Sequence, residues 1–321
     1  MRPDAAAPAV LSTMWALQPR FEQALDAFVE RARALGFSGI EINHSMDAAQ
    51  VGVLLAQRAL PVVAVHAPAP LERHPAHGWN RSLDPASEDE AERRLAVHYA
   101  GRSIELAGEA GASLVVLHLG AVGLAQLQPE RTLRRLFARG SVSEEERGAS
   151  VEAALRERAR LAPPALDRAR RSLAELVLLA EAHGVTLGLE CRLYHHQIPL
   201  PSEAAELLAE HPPERVGYVH DVGHAEIQHR LGLVDRASWF DLLGERLVGV
   251  HLSDVNGLAD HRAPGNGDVD FRWLAKRLSA GAVRTLEIDQ DEPDDDIERG
   301  LELLGEAGVI TRGSPRPADA S

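Results

Sequence analysis

The sequence predicts a closed (β/α)8 barrel with an extra helical insertion after the fourth strand. Three observations predict it. Eight short apolar segments alternate with amphipathic ones along the chain. The segments are apolar on both faces, as strands of a parallel sheet covered by helices are. The length of 321 residues suits a barrel folding as one domain. A doubly wound open sheet is the structural alternative, but it would want a Gly-rich phosphate loop after the first strand, and Ser12-Thr13-Met14-Trp15 has none.

Val10 to Trp15 reads as strand one, followed by a helical pattern from Phe21 to Leu35 that Gly36 ends. Ser38 to Asn43 is strand two. An amphipathic stretch, Met46 to Leu60, leads through Pro61 into strand three, Val62 to His66, and a long Pro- and His-rich loop, Ala67 to Ala86, follows. A helix over Glu88 to Ala110 precedes strand four, Leu114 to His118. Residues 121–163 are Arg- and Glu-rich and poor in large apolar side chains, which predicts one or two extra surface helices without a core of their own.

Pro163-Pro164 is expected to separate that insertion from the next amphipathic helix, Leu166 to His183. Strand five is Val185 to Glu190. A helix over Pro201 to Glu210 leads to strand six, Val216 to Asp221, and a helix over Trp239 to Arg246 to strand seven, Leu247 to His251. After the loop 252–270 come a helix over Phe271 to Leu278 and strand eight, Val283 to Ile288. Asp294-Asp295-Asp296 opens the last helix, as the helix dipole favours. The expected domain is thus 1–311, with 312–321 a disordered Pro/Ala tail.

Composition narrows the function. Asp and Glu outnumber Lys and Arg 48 to 34, for a net charge of −14, and only Arg131 to Arg139 forms a basic run. Phosphate contacts need a basic footprint, so nucleic acid is not the expected main partner; a small polar molecule is. No apolar run reaches the roughly 20 residues that span a bilayer, and the N-terminus lacks the apolar core of a signal peptide. The single cysteine, Cys191, fits a reducing compartment. A cytoplasmic location is expected.

The chemistry lies at strand ends. Glu190, Asp221, His251 and Glu287 follow one another at intervals of 31, 30 and 36 residues, close to the roughly 31 residues that each unit of an eight-fold barrel occupies. They therefore fall at equivalent positions on four consecutive strands, at the C-terminal mouth where active sites of this fold lie. One strand-end acid would be read as a helix cap or an arginine partner. Four in register crowd carboxylates together, and a cation makes that tolerable. Three carboxylates and an imidazole suit one divalent ion, Mn2+ first, with Zn2+, Mg2+ or Co2+ also compatible.

His66, His118, His224 and His261 fall at the same level and are candidate substrate contacts, as is Arg192, which could bind a carboxylate, phosphate or oxyanion or merely pair with a neighbouring acid. His44, His74, His77, His195, His196, His220 and His229 read mostly as solvated or local hydrogen-bonding residues.

Several stretches together carry a family resemblance: GFSGIEI (36–42), VHAP (65–68), LHLG (117–120), LGLE (187–190), HDVGH (220–224), VHLSD (250–254), DHRAPGNGDVDF (260–271) and TLEID (285–289). In this order they resemble the xylose-isomerase-like TIM-barrel superfamily, in its sugar phosphate isomerase/epimerase branch, which is related to the endonuclease-four type of apurinic endonuclease. The resemblance implies that Glu190, Asp221, His251 and Glu287 hold one divalent metal. It implies that Glu190 and Glu287 also move protons on opposite faces of a small carbohydrate, and that His224 contacts a substrate oxygen.

The expected activity is metal-dependent isomerisation or epimerisation of a small sugar, sugar phosphate or cyclitol through an enediolate, with a homo-oligomer left open. The alternative is a zinc phosphodiesterase or apurinic endonuclease, which would recruit His66, His118, His224 and His261 as further ligands. Against it stand the acidic charge and the adjacency of Asp260 and His261, where that relative has Asp-x-His. A barrel that binds metal without catalysis is a third reading, disfavoured by the presence of both glutamates.

Overall fold

Eight parallel strands hydrogen-bond in a closed ring: β1 (Ala7–Ser12), β2 (Gly39–Ile42), β3 (Val62–His66), β4 (Leu114–Leu117), β5 (Thr186–Glu190), β6 (Val216–Asp221), β7 (Leu247–Leu252) and β8 (Val283–Leu286). Closure comes from β8, which pairs with β7 through Thr285↔His251 and with β1 through Val10↔Thr285. The chain is thus a (β/α)8 TIM barrel. This computed structural model describes residues 6–123, 125–140 and 143–311; the tail expected at 312–321 lies outside them.

Alternation along the strands builds two apolar layers. Ala64, Leu114, Val116 and Val219 turn to one face and pack together, whereas Val65, Val115, Leu187 and Leu189 join the larger core beneath the helices. Space inside the ring is tight. A Cβ on Gly188 would sit 2.4 Å from Val219 Cγ2, and one on Gly217 2.3 Å from Val248 Cγ1, so glycine lets the neighbouring valines close the barrel floor.

The helices are α1 (Leu25–Ala34), α2 (Ala48–Ala56), α3 (Glu90–Ala110), α4 (Gln128–Arg139), α5 (Glu144–His183), α6 (Pro201–Ala209), α7 (Val222–Arg230), α8 (Arg236–Leu243), α9 (Phe271–Ala275) and α10 (Asp294–Glu306). Their starts show why the sequence places them there. Asp47, Asp89, Ser143, Asp221, Asp235 and Asp270 each accept a first-turn backbone N–H. Gly111 and Gly184 end α3 and α5 in the left-handed conformation.

Two sequence expectations are corrected. Pro163 and Pro164 do not divide the chain, because α5 runs unbroken for 40 residues. Both prolines lie on its exposed face, as do Ala159 and Arg160, whose carbonyls lose their helical donors to the rings. Water can satisfy those carbonyls, and packing of α5 on α3 and α4 holds the two halves in line. In addition, α7 follows β6 directly where no helix is expected. Val222 through Gln228 are all buried, polar and apolar residues alike, so this helix shows no amphipathic period.

Candidate metal centre

The C-terminal ends of β5 to β8 converge on one point. Glu190 ends β5, Asp221 ends β6, His251 is the penultimate residue of β7, and Glu287 follows β8. One ligand atom from each lies within 4.8 Å of all the others, and all four residues are buried. His251 Nδ1 is the hub, 2.7 Å from Glu190 Oε1, 2.8 Å from Glu287 Oε2 and 3.8 Å from Asp221 Oδ2. Glu190 Oε1, Asp221 Oδ2 and His251 Nδ1 are nevertheless buried without a hydrogen-bond partner. Orphaned acceptors converging at that range are costly unless a cation sits among them, and an oxygen-rich set with one nitrogen fits a divalent ion.

The electrostatics agree with this. Burial pushes the Asp221 carboxyl up from its ordinary value, with the neighbouring Glu190 charge adding to the effect. Burial acts against charge on Glu190 as well, but His118 and His251 hold its carboxyl well below the usual range. His251 and the other facing imidazoles do the same for Glu287. Burial opposes charge on His251 itself, and the Glu287, Glu41 and Glu190 carboxylates more than offset it, keeping that imidazole well above its ordinary pKa. By themselves, the raised imidazoles of His251, His66 and His261 offset only part of the carboxylate charge, and Asp221 Oδ2 stays without a hydrogen-bond partner.

The other residues singled out from sequence lie around this point. His66, at the tip of β3, has Nε2 2.9 Å from His118 Nε2 and Nδ1 3.4 Å from Glu287 Oε1. His118 and Arg192 converge on the outer oxygen of Glu190, at 2.7 and 2.5 Å from Oε2, so Arg192 does pair with a neighbouring acid. His224 sits in the first turn of α7, with Nδ1 3.0 Å from the Cys191 carbonyl and Nε2 3.7 Å from Asp260 Oδ2. His261 reaches the mouth from a short hairpin, Asp254–Asn256 with Ala259–Arg262, where its Nε2 is 3.8 Å from Glu287 Oε2. Three more groups among the described residues could hold a metal ion: His66/His118/Glu190, Asp221/His224/His261 and, sharing His251 and Glu287 with the central cluster, Glu41/His66/His251/Glu287.

Sequence reasoning missed three residues here. Glu41 on β2 is fully buried; Oε1 lies 3.1 Å from His251 Nε2, and Oε2 accepts the Thr285 hydroxyl at 3.0 Å. Asn43 Nδ2 donates to Glu287 Oε1 at 3.0 Å. His44 stacks edge-on against His66 with ring centroids 4.9 Å apart, and burial pushes its pKa down to about 3. The available signal was an acid inside an otherwise apolar four-residue strand.

The loop after Glu190 is held from several sides. Glu130 of α4 accepts the His195 N–H at 3.1 Å, Arg134 donates to the Leu193 carbonyl at 2.8 Å, and Gln228 of α7 donates to the Arg192 carbonyl at 2.6 Å. From α5, Arg158 pairs with Glu203 and donates to the His195 and Gln197 carbonyls. His195 and His196 are buried in this scaffold, and His220 Nδ1 lies 2.7 Å from the Tyr218 hydroxyl. These three serve local structure.

Fold and cluster together define a (β/α)8 barrel with a buried His/Glu/Asp group at its mouth that could hold a metal ion. The chain belongs to the xylose isomerase-like TIM barrel family, whose sequence model matches residues 29–307. An uncharacterized protein of Methanocaldococcus jannaschii is 26% identical over 206 residues, a match spanning 63% of this chain and 58% of that relative's length.

Many solved structures share the fold, the following three among them. A D-tagatose 3-epimerase-like protein is 20% identical, with 94% of this chain and 96% of that one covered and a TM-score of 0.64. D-psicose 3-epimerase with D-tagatose, from Clostridium cellulolyticum, is 13% identical, with coverage of 94% and 100% and a TM-score of 0.63. A Thermus thermophilus protein soaked with ZnCl2 is 21% identical, with coverage of 94% and 97% and a TM-score of 0.58. At these identities the likeness is one of fold. Among the described residues, no helix is long and apolar enough to cross a membrane.

Proposed function

We propose that this chain is a divalent-metal-dependent isomerase or epimerase of a small carbohydrate, working in the cytoplasm. The observation that carries the reading is the convergence of Glu190, Asp221, His251 and Glu287 within 4.8 Å with orphaned buried ligand atoms. Those four would hold the ion, Mn2+ first given the oxygen-rich set. A bound ion supplies Lewis acidity, which makes a proton on the carbon beside a carbonyl easier to remove.

The residues of the chain do the rest. Glu190 Oε1 and Glu287 Oε2 both reach the same point of the site, 2.7 and 2.8 Å from His251 Nδ1, and in this reading one takes a proton from one face of the substrate carbon while the other returns a proton to the opposite face. Arg192 and His118 on Glu190 Oε2 favour the ionised carboxylate, and Asn43 orients Glu287. His224 and His66 present imidazole edges to substrate oxygens. The sugar epimerases among the structural neighbours support a carbohydrate substrate.

The test is solvent exchange. Mn2+-loaded protein incubated with a panel of ketoses in D2O should incorporate deuterium at the carbon beside the carbonyl. Glu190→Gln and Glu287→Gln should each reduce turnover by about 10²- to 10⁴-fold. Full turnover by either variant would rule out the two-base mechanism.

A second reading has one observation in its favour. Of the three additional ligand groups, His66/His118/Glu190 and Asp221/His224/His261 are what a multinuclear zinc phosphodiesterase of the apurinic-endonuclease type would need. Against it, the chain carries a net charge of −14, unfavourable for a duplex. Cleavage of an abasic-site duplex by zinc-loaded protein would favour this reading over the first.

A further inference from the structure

Beside the carboxylate cluster lies a cavity of about 200 Å³, at the C-terminal ends of β3 and β4 among the loops that follow them, with Arg81, Asp84, His118 and Arg192 among its lining residues. Its charge is opposite to that of its surroundings. The chain has a net charge of −14, and the adjoining cluster brings Glu41, Glu190, Asp221 and Glu287 together, yet two arginines line this space. Arg81 has a single polar contact among the described residues, to Ser45 Oγ at 3.3 Å, and no carboxylate partner. Arg192 sits at the seam, with one nitrogen on Glu190 Oε2 and its side chain lining the cavity.

Asp84 is the carboxylate in the lining, and it is engaged elsewhere. Its Oδ1 accepts the Ala86 N–H at 2.6 Å, and burial raises its pKa to about 6. Gly120 allows the close approach: a Cβ there would fall 1.9 Å from Asp84 Oδ1. The cavity is therefore small, and its lining sets Arg81 and Arg192 against the single carboxylate of Asp84. Its volume is below the roughly 300–1,000 Å³ of pockets for drug-sized ligands, which suits one compact anionic group on a short carbon chain.

We propose that this cavity holds the anionic end, a phosphate or carboxylate, of a sugar whose carbonyl end is held at the Glu190–Asp221–His251–Glu287 cluster. The inference rests on the isomerase reading and adds a substrate class to it. Arg192 and His118 line the passage between the two ends, and Arg81 provides a planar, permanently charged fork for the anion. A neutral sugar would leave Arg81 without a counter-charge, whereas Arg192 already has Glu190.

Two measurements on the Mn2+-loaded protein test this. In the first, a ketopentose, its terminal phosphate and the matching terminal carboxylate are compared as substrates. The anionic forms should have the higher kcat/KM. Arg81→Gln should reduce that preference about 10- to 100-fold, mainly through KM, as expected for loss of a charge-assisted hydrogen bond, and Arg81→Lys should restore part of it. Whether phosphate or carboxylate gains more identifies the group. A neutral ketose turned over as well as its anionic forms, or a preference unchanged in Arg81→Gln, overturns the inference.

In the second, inorganic phosphate is titrated calorimetrically at constant ionic strength. Weaker binding in Arg81→Gln supports the subsite, and equal affinity in the variant, as for phosphate held by the ion alone, refutes it. If no ketose of any charge exchanges a proton, the isomerase reading falls, and the phosphate titration still decides the subsite.

Discussion

Asp221 Oδ1 accepts the backbone N–H of His224 at 2.7 Å, while Asp221 Oδ2 is buried in the cluster without a hydrogen-bond partner. One carboxylate thus both starts α7 and faces the proposed ion. The two jobs separate by substitution. Asparagine is as good a helix cap as aspartate, so Asp221→Asn should fold with its stability preserved in chelator while losing metal affinity. Asp221→Ala should also destabilise the metal-free protein, by about 0.5–2 kcal/mol. Thermal melts in chelator and Mn2+ titrations separate the effects; identical melts for the two variants would show that Oδ1 is not a cap that matters.

Glu41 faces the far nitrogen of His251, 3.1 Å from Nε2, while Nδ1 faces the carboxylates. A carboxylate behind a metal-binding imidazole fixes the ring and raises its basicity. Glu41→Gln keeps an acceptor for the Thr285 hydroxyl, so the fold should persist, and Mn2+ affinity should fall about 10- to 100-fold. A competition titration against a fluorescent chelator reads this directly, and an unchanged affinity removes Glu41 from the account.

Asp84 gives a pH signature. Its folded-state pKa of about 6 lies above the ordinary 3.8, chiefly through burial. The folded state therefore favours the protonated carboxyl, and the stability that proton contributes is present below 3.8 and lost as pH rises to about 6. Asparagine carries no charge to bury and keeps the acceptor for the Ala86 N–H. The gain in Tm of Asp84→Asn over the parent should grow between pH 4 and 6 and level off above pH 7. A gain that does not vary with pH contradicts the assignment.

Pro163 and Pro164 interrupt the hydrogen-bond ladder of α5 on its exposed face. Proline in a helix interior costs about 3 kcal/mol relative to alanine, and water on the exposed carbonyls offsets part of it. Pro164→Ala should raise Tm, by an amount equivalent to about 1–3 kcal/mol. A lower Tm would mean that the proline supplies a bend α5 needs to follow the barrel.

What the sequence revealed, and what it hid, follows from how each residue signals its place. Glu190, Asp221, His251 and Glu287 were legible because each sits at the tip of an apolar strand and the barrel repeats at a near-constant interval. Glu41 was not, because Gly39–Ile42 is a strand of four residues with the acid inside it, and an inward-facing carboxylate looks like one face of an ordinary alternation. His44 carried no sign of its partners, since His66 and His118 come from other strands. The helix α7 escaped because full burial erases the 3.6-residue polar period. The proline pair misled because the rule that proline ends a helix takes no account of packing on either side. The intervals placed the candidate ligands; which of their atoms lack partners only the three-dimensional arrangement tells.

The central claim is one divalent ion held by Glu190, Asp221, His251 and Glu287. Elemental analysis of the metal-replete protein tests it most directly. One Mn2+-like ion per chain, reduced to a trace in Asp221→Asn and His251→Ala, is the predicted result. Two or three zinc ions per chain, or an empty site under metal-replete conditions, would contradict it.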